Sequence, residues 1–376
     1  MSGKSSKWCA GPIVLLIVTA LAWWWLRRTP PAKPAAFGTP PAPITTQTTT
    51  TETKRTPEQW LQSAANDLAA AHTADEKNQA LSRLRQTLAT VSTNELSVAI
   101  RRFLDTKTDA ITGQGFKIGG NGSLLEAPTL RTFLLDQLAS LDPVAAAAYA
   151  RVILDTSNSP DEWAVALRNL ARGDTSPEAR ALLETKTGEL LRNESWQQDP
   201  SVGYLEAFDT AVHLGGTSLL QSLSDLVRKK DNQAVAHASF LTLDRLVINQ
   251  PAQTLAALSE HPEWMQGREE TRANYFARAD MGDAEQRRLV ESYLLEVSRS
   301  PAELQTFAGV FPNANFMISH NLLTGNATLD GATLRRRDQT SLEVVTQWLA
   351  DPRFEKVRQP LTKIQQRLQE FTRQAK

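Results

Sequence analysis

Apolar side chains recur at the spacing of an α-helix throughout residues 57–376, and this periodicity restricts the chain to a largely helical fold. Sustained alternation of apolar and polar residues, the pattern of a half-buried strand, is almost absent. Segments 56–59, 159–162 and 300–303 each combine a hydroxyl N-cap, a proline at the first helical position and a Glu or Gln at the third, which predicts helix starts closed by capping boxes. One predicted helix face is formed by Leu130, Phe133, Leu134, Leu138 and Leu141.

Residues 171–184 resemble residues 277–291, and each segment reads as a helix end, a short turn and a new amphipathic helix. Trp60, Trp163 and Trp264 also hint at a longer repeat of about 100 residues. Many helices joined by short turns predict an all-α fold of stacked antiparallel helix pairs. This architecture resembles the α-solenoids of HEAT and TPR proteins, and the resemblance implies an extended surface that binds other proteins. It identifies no functional family.

Residues 10–26 carry no charge and are rich in apolar side chains, which predicts a transmembrane helix or an uncleaved signal anchor. Basic residues flank this segment, and three tryptophans, Trp23 to Trp25, stand at its end, as at a membrane interface. Residues 1–9 are then a short cytoplasmic N-terminus. The alternative is a signal peptide cleaved near Ala22.

Residues 29–56 contain ten Thr and six Pro, a composition that cannot bury enough apolar surface to fold. We expect a disordered stalk that separates the helical domain, residues 57–376, from the bilayer. Because such stalks commonly follow a single N-terminal span in bacteria, the expected location is the inner membrane, with one pass and a periplasmic C-terminal domain.

The whole chain has 41 basic and 41 acidic residues, but residues 1–56 hold an excess of basic side chains and residues 57–376 an excess of acidic ones. An acidic folded part disfavours nucleic acid as a partner. The chain has one cysteine, Cys9, and five scattered histidines, and it has no metal-binding spacing. We therefore expect no metal and no cofactor.

Residues 113–122 contain five glycines, so a helix cannot continue through them. The segment fits neither a phosphate-binding loop nor the dinucleotide fingerprint, since the Lys and one of the required glycines are missing. Asn121 followed by Gly122 predicts a small hairpin inserted between helices. An alternative role for Gly119, Gly120, Asn121 and Gly122 is to bind a partner.

The C-terminal part is basic and begins with Arg335, Arg336 and Arg337, which are further candidates for partner binding. Residues 360–375 predict a basic amphipathic helix whose apolar stripe contains Leu361, Ile364, Leu368 and Phe371. The stripe either packs on the preceding helices as a terminal cap or remains free to bind a partner helix or an acidic membrane surface.

No motif predicts catalytic residues. Glu194 followed by Ser195 resembles the Glu-Ser pair of lytic transglycosylases, but the other elements of those enzymes are missing.

We expect a membrane-anchored helical-repeat scaffold or adaptor that binds a protein partner at the cell envelope. The alternatives are an envelope hydrolase or lyase acting on peptidoglycan, or a spacer without a ligand. An enzyme would show a concave pocket with one or two carboxyl groups of shifted pKa.

Overall fold

A computed structural model describes residues 55–315, 321–325 and 328–374. The predicted transmembrane segment, the N-terminal nine residues and all but the last two stalk residues lie outside these ranges, so they stay predictions. Within the described ranges, no helix is both long enough and apolar enough to cross a bilayer.

The described part of the chain is almost entirely helical, as the periodicity predicts. The α-helices are α1 (Pro57–Ala70), α2 (Ala74–Leu88), α3 (Thr93–Asp105), α4 (Leu130–Leu141), α5 (Pro143–Thr156), α6 (Pro160–Gly173), α7 (Pro177–Arg192), α8 (Glu194–Gln198), α9 (Val202–Glu206), α10 (Asp209–Leu214), α11 (Leu220–Val227), α12 (Gln233–Asn249), α13 (Pro251–Glu260), α14 (Glu269–Phe276), α15 (Ala284–Leu295), α16 (Pro301–Val310), α17 (Gly331–Ala350) and α18 (Arg358–Gln374). Short 3-10 helices form at Pro262–Met265 and Pro352–Val357. Most of the longer helices pack on helices one or two places away along the chain, whereas the short α9 packs mainly on α6, three places away. This pattern is compatible with an α-solenoid-like fold.

The predicted helix starts are correct, but only one of the three capping boxes forms. Thr56 and Gln59 cap each other reciprocally. At α6 and α16 the serine N-cap is in place, whereas the glutamate three residues later turns into the core. Glu162 pairs with Arg131 at 2.6 Å and Glu303 pairs with Arg272 at 2.8 Å. A buried arginine competes for the carboxylate because its charge would otherwise lie unpaired.

These two buried pairs are related by one fixed offset in the sequence. In each pair the arginine precedes the glutamate by 31 residues. The second pair lies 141 residues after the first, and α3 to α6 correspond in order to α12, α14, α15 and α16. The same offset relates Asp142 to Asp283, Ser159 to Ser300 and Pro160 to Pro301. The repeat of about 100 residues that the tryptophans suggest stays a prediction.

The glycine-rich segment forms a two-stranded antiparallel hairpin, β1 (Lys117–Ile118) and β2 (Leu124–Glu126), between α3 and α4. Two arginines of α6 hold its turn: Arg168 donates to the carbonyl of Gly122 at 2.8 Å, and Arg172 donates to that of Asn121 at 2.8 Å. Arg172 also donates to the carbonyl of Leu322 at 2.6 Å. The hairpin is therefore an integral part of the packed helical unit.

The C-terminal helix α18 packs its stripe inward, as the cap interpretation predicts. Leu361, Ile364 and Leu368 are fully buried, and α18 contacts α16 and α17. Arg367 donates to the carbonyls of Ala308 and Gly309 at 2.7 and 2.9 Å, at the C-terminal end of α16. A cation at this position satisfies carbonyls that the helix leaves without partners.

Candidate functional site

A cleft of about 420 Å³ lies between α9–α10 and α12. This volume is in the range of ligand-binding pockets. The walls are mainly apolar, with charged side chains among them. The described residues that line the cleft are Leu205, Glu206, Phe208, Asp209, Ala234, His237, Ala238, Phe240, Leu241, Thr242, Asp244, Arg245, Ile248, Arg278, Asn315 and Asn321.

Helix α12 supplies one wall because both of its faces are apolar. Val235, Leu243 and Leu246 are buried in the core. Ala234, Ala238, Leu241 and Ile248 lie on the other face, at successive spacings of four, three and seven residues, and line the cleft. Ile248 is 41% exposed. The helix therefore presents an apolar stripe that the described neighbouring elements do not cover completely.

Two ion pairs fix the polar parts of the walls. Arg245 on α12 donates to Asp209 on α10 at 2.7 Å, and Arg278 donates to Asp244 at 2.7 Å. Asp209 also accepts hydrogen bonds from the backbone N–H groups of Leu323 and Thr324, at 2.7 and 3.0 Å. Both arginines and both aspartates are therefore held in place by the protein itself.

Glu206 differs from the other charged groups of the cleft. Within the ranges that the structure describes, no hydrogen bond or ion pair to its carboxyl group is found. Burial raises the pKa of Glu206 to about 7, and the negative charge of Asp209 adds to this effect while Arg245 opposes it. At neutral pH, Glu206 is a neutral acid in some molecules and a carboxylate in others. The group can therefore give up a proton or pair with a cation.

His237 and Phe240 stand on the exposed side of α12. Their rings are stacked, with centroids 6.2 Å apart. Phe240 also stacks on Tyr275, whose hydroxyl donates to the carbonyl of Phe240 at 3.0 Å. These contacts fix Phe240, while the imidazole of His237 remains exposed to solvent.

The candidate residues predicted from the sequence lie elsewhere. Gly119 and Gly122 are buried in the hairpin, whereas Gly120 and Asn121 are exposed. None of these four hairpin residues lines the cleft. Whether these residues bind a partner stays a prediction.

The three predicted arginines divide into two kinds. Arg335 and Arg336 are exposed and line a smaller hollow of about 270 Å³ with Phe371. Arg337 is half-buried and donates to the carbonyl of Arg278 at 2.7 Å, which places it next to a cleft residue. Burial lowers the pKa of Arg337.

The cleft is not predicted from the sequence, although α12 carries one signal of it. Asp244 and Arg245 interrupt an apolar stretch that extends from Val235 to Ile248. Charged side chains inside such a stretch require partners from other elements. Those partners, Arg278 and Asp209, are 34 and 36 residues away in the sequence, so helical spacing does not reveal them.

In the described part of the chain, no group of three or more His, Cys, Asp and Glu side chains is placed to hold a metal ion. Comparison with known protein families, with curated proteins and with solved structures found no match to this chain.

Proposed function

We propose that this chain is a membrane-anchored scaffold or adaptor of the cell envelope, built as an α-solenoid, which binds a segment of a protein partner in the cleft between α9–α10 and α12. Residues 10–26 anchor it in the inner membrane, and residues 29–56 hold the helical domain on the periplasmic side. The single observation that carries the proposal is the partly exposed apolar stripe of α12 that faces the cleft.

The chemistry of the walls favours a peptide segment over a sugar polymer. A glycan needs many hydrogen-bond donors and acceptors, but Arg245 and Arg278 already donate to Asp209 and Asp244. The apolar walls instead suit an aliphatic or aromatic side chain. Removing such a side chain from water contributes about 1.5–3 kcal/mol.

Affinity capture with two matched variants of the full-length chain tests this proposal. Ile248→Asp places a charge on the cleft wall, and Val144→Asp places one on the exposed face of α5. Both native side chains are exposed, at 41% and 72%, so neither change disturbs the core. We expect a defined partner that the wild type and Val144→Asp capture from envelope extracts and that Ile248→Asp does not.

The proposal fails if all three proteins capture the same partner equally, because the binding surface then lies outside the cleft. It also fails if no partner is captured from cells grown under several conditions.

Glu206 favours a second candidate function, hydrolysis or lytic cleavage of peptidoglycan. A carboxyl group with a pKa of about 7 in a cleft has the property expected of a general acid. Incubation of purified peptidoglycan with the wild type and with Glu206→Gln tests this candidate. Soluble fragments released by the wild type alone support it, and the absence of fragments from both proteins contradicts it.

A further inference from the structure

We propose that the cleft selects a peptide segment in which a lysine or arginine stands beside a bulky apolar residue, and that the Glu206 carboxylate binds the basic group. This inference rests on the proposed binding of a partner segment, and it specifies the chemistry of that segment.

The acidic side chains that line the cleft outnumber its arginines. Among the described residues that line the cleft, the acidic side chains are Glu206, Asp209 and Asp244, and the arginines are Arg245 and Arg278. Each arginine is paired with one aspartate, and although the charge of Arg245 also acts on Glu206, the three carboxylates exceed the two arginines by one. The Glu206 carboxylate is therefore left for a cation that the ligand brings. A ligand with an acidic group would instead add a like charge beside Glu206 and Asp209.

The carboxyl group of Glu206 lies among apolar walls. Leu205 and Phe208 lie close to Glu206 in the sequence and line the same cleft, opposite the apolar stripe of α12. A cation bound there loses contact with water, so its pairing with a carboxylate is stronger than at an open surface. The long aliphatic part of Lys or Arg can at the same time cover the apolar wall.

The arrangement has a consequence for pH. The charged or titratable groups around Glu206 in the cleft are Asp209 on the neighbouring helix, His237, Asp244 and Arg245 on α12, and Arg278. A bound cation stabilises the carboxylate, so binding releases a proton wherever Glu206 is protonated in the free protein. Because the pKa of Glu206 is about 7, affinity for the basic group rises about tenfold from pH ~6 to pH ~8.

Selection of a displayed library of random heptapeptides for binding to the immobilised full-length chain tests the inference. Glu206→Gln and Ile248→Asp are the matched variants. For the wild type at about pH 8 we expect enrichment of peptides that place Lys or Arg beside Leu, Ile or Phe. Glu206→Gln keeps the volume of the side chain and removes its charge. We expect this variant to retain the apolar preference and to lose the basic one.

The most enriched peptide and its Lys-to-norleucine counterpart are then compared by fluorescence anisotropy. We expect the basic peptide to bind about tenfold more tightly at pH ~8 than at pH ~6, and the pH dependence to disappear in Glu206→Gln and with the norleucine peptide.

Several outcomes overturn the inference, and they separate it from the proposed function. Apolar enrichment without Lys or Arg, lost in Ile248→Asp, refutes basic recognition and leaves partner binding in the cleft intact. Enrichment that is identical for the wild type and Ile248→Asp, or no enrichment at all, refutes both.

A further outcome concerns the chain itself. Residues 316–320, which lie outside the described ranges, join the cleft residues Asn315 and Asn321. If peptides bind only after Phe316, Met317 and Ile318 are all changed to Ser, the occupant of the cleft is this segment and the inference is wrong.

Discussion

At the scale of single residues, buried arginines are the groups on which the helical packing most clearly depends. Arg168 and Asp136 are separated by 2.6 Å, and their side chains are 1% and 3% exposed. Arg168 also donates to Gly122 and Asn169. One side chain thus joins α4, α6 and the hairpin.

We predict that Arg168→Leu lowers the free energy of unfolding by about 3–5 kcal/mol, because it leaves the Asp136 carboxylate buried without its cation. Urea unfolding followed by circular dichroism measures the change. Arg288→Leu is the control, since Arg288 pairs with Glu285 at the surface, where both side chains are at least half exposed. An equal effect of the two substitutions would show that the buried pair has no special role.

The pKa of Glu206 predicts a dependence of stability on pH. Its ordinary pKa of 4.5 rises to about 7 in the folded chain, so the folded state holds this proton more tightly than the unfolded state does. The contribution of the protonated Glu206 side chain to the free energy of unfolding is therefore fully present below about pH 4.5, and it is lost as the pH rises through about 7.

Glu206→Gln removes this dependence. We expect the variant to be more stable than the wild type at about pH 8, by roughly 1–3 kcal/mol, and the difference to shrink as the pH falls towards about 5. Urea unfolding at several pH values checks this. A constant difference between the two proteins across that range would mean that the pKa of Glu206 is the same in the folded and unfolded states.

At the scale of secondary-structure elements, the hairpin and the last helix were predictable because local patterns determine them. Asn121 followed by Gly122 specifies a turn, and Gly122 has a φ of +76°, which other residues rarely adopt. The contacts that hold the hairpin were not predictable, since Arg172 and Leu322 are 150 residues apart. Sequence periodicity describes one element at a time and carries no information on such pairs.

Gly122→Ala tests the packing of the hairpin. A Cβ atom at Gly122 would lie 2.3 Å from the carbonyl oxygen of Leu322, and the backbone conformation is unfavourable for alanine. We expect a loss of about 2 kcal/mol or more in unfolding free energy. The matched control is Gly115→Ala, because a Cβ there meets no atom within 4 Å and φ is not positive. Equal stability of the two variants would mean that the turn is not held against Leu322.

The stripe of α18 gives a second test at this scale. Ile364→Asp combined with Leu368→Asp puts two carboxylates at fully buried positions, so we expect a loss of more than about 4 kcal/mol and a clearly lower Tm. Phe371→Asp is the control, because Phe371 belongs to the same stripe but is 47% exposed. An unchanged Tm of the double variant would show that α18 does not cap the domain.

At the scale of the whole molecule, the offset of 141 residues that relates the two buried Arg-Glu pairs does not extend to the cleft. Asp244 and Arg245 lie on α12, and the corresponding helix of the first half, α3, has no such pair of charges within its buried face. The loop after α3 carries the hairpin, whereas α13 and a 3-10 helix follow α12. The charged pair in the cleft wall therefore has no counterpart on α3.

Fold class could be predicted from the sequence because helix periodicity and N-caps are local properties. The cleft could not, since it depends on pairs such as Asp209 with Thr324, which are 115 residues apart. The 141-residue offset between the two Arg-Glu pairs was not predicted from the sequence either. Only a few equivalent residues are identical, and the buried Arg-Glu pairs become visible only when their contacts are known.

Site-specific photo-crosslinking in cells that express the full-length protein shows directly whether the cleft binds a partner. A benzophenone amino acid replaces Leu241 on the cleft wall in one protein and Val152, which is 45% exposed on α5, in another. We expect one defined crosslinked product from position 241, which Ile248→Asp abolishes, and no such product from position 152. The same product from both positions, or none from position 241, would contradict the claim that this cleft binds a partner.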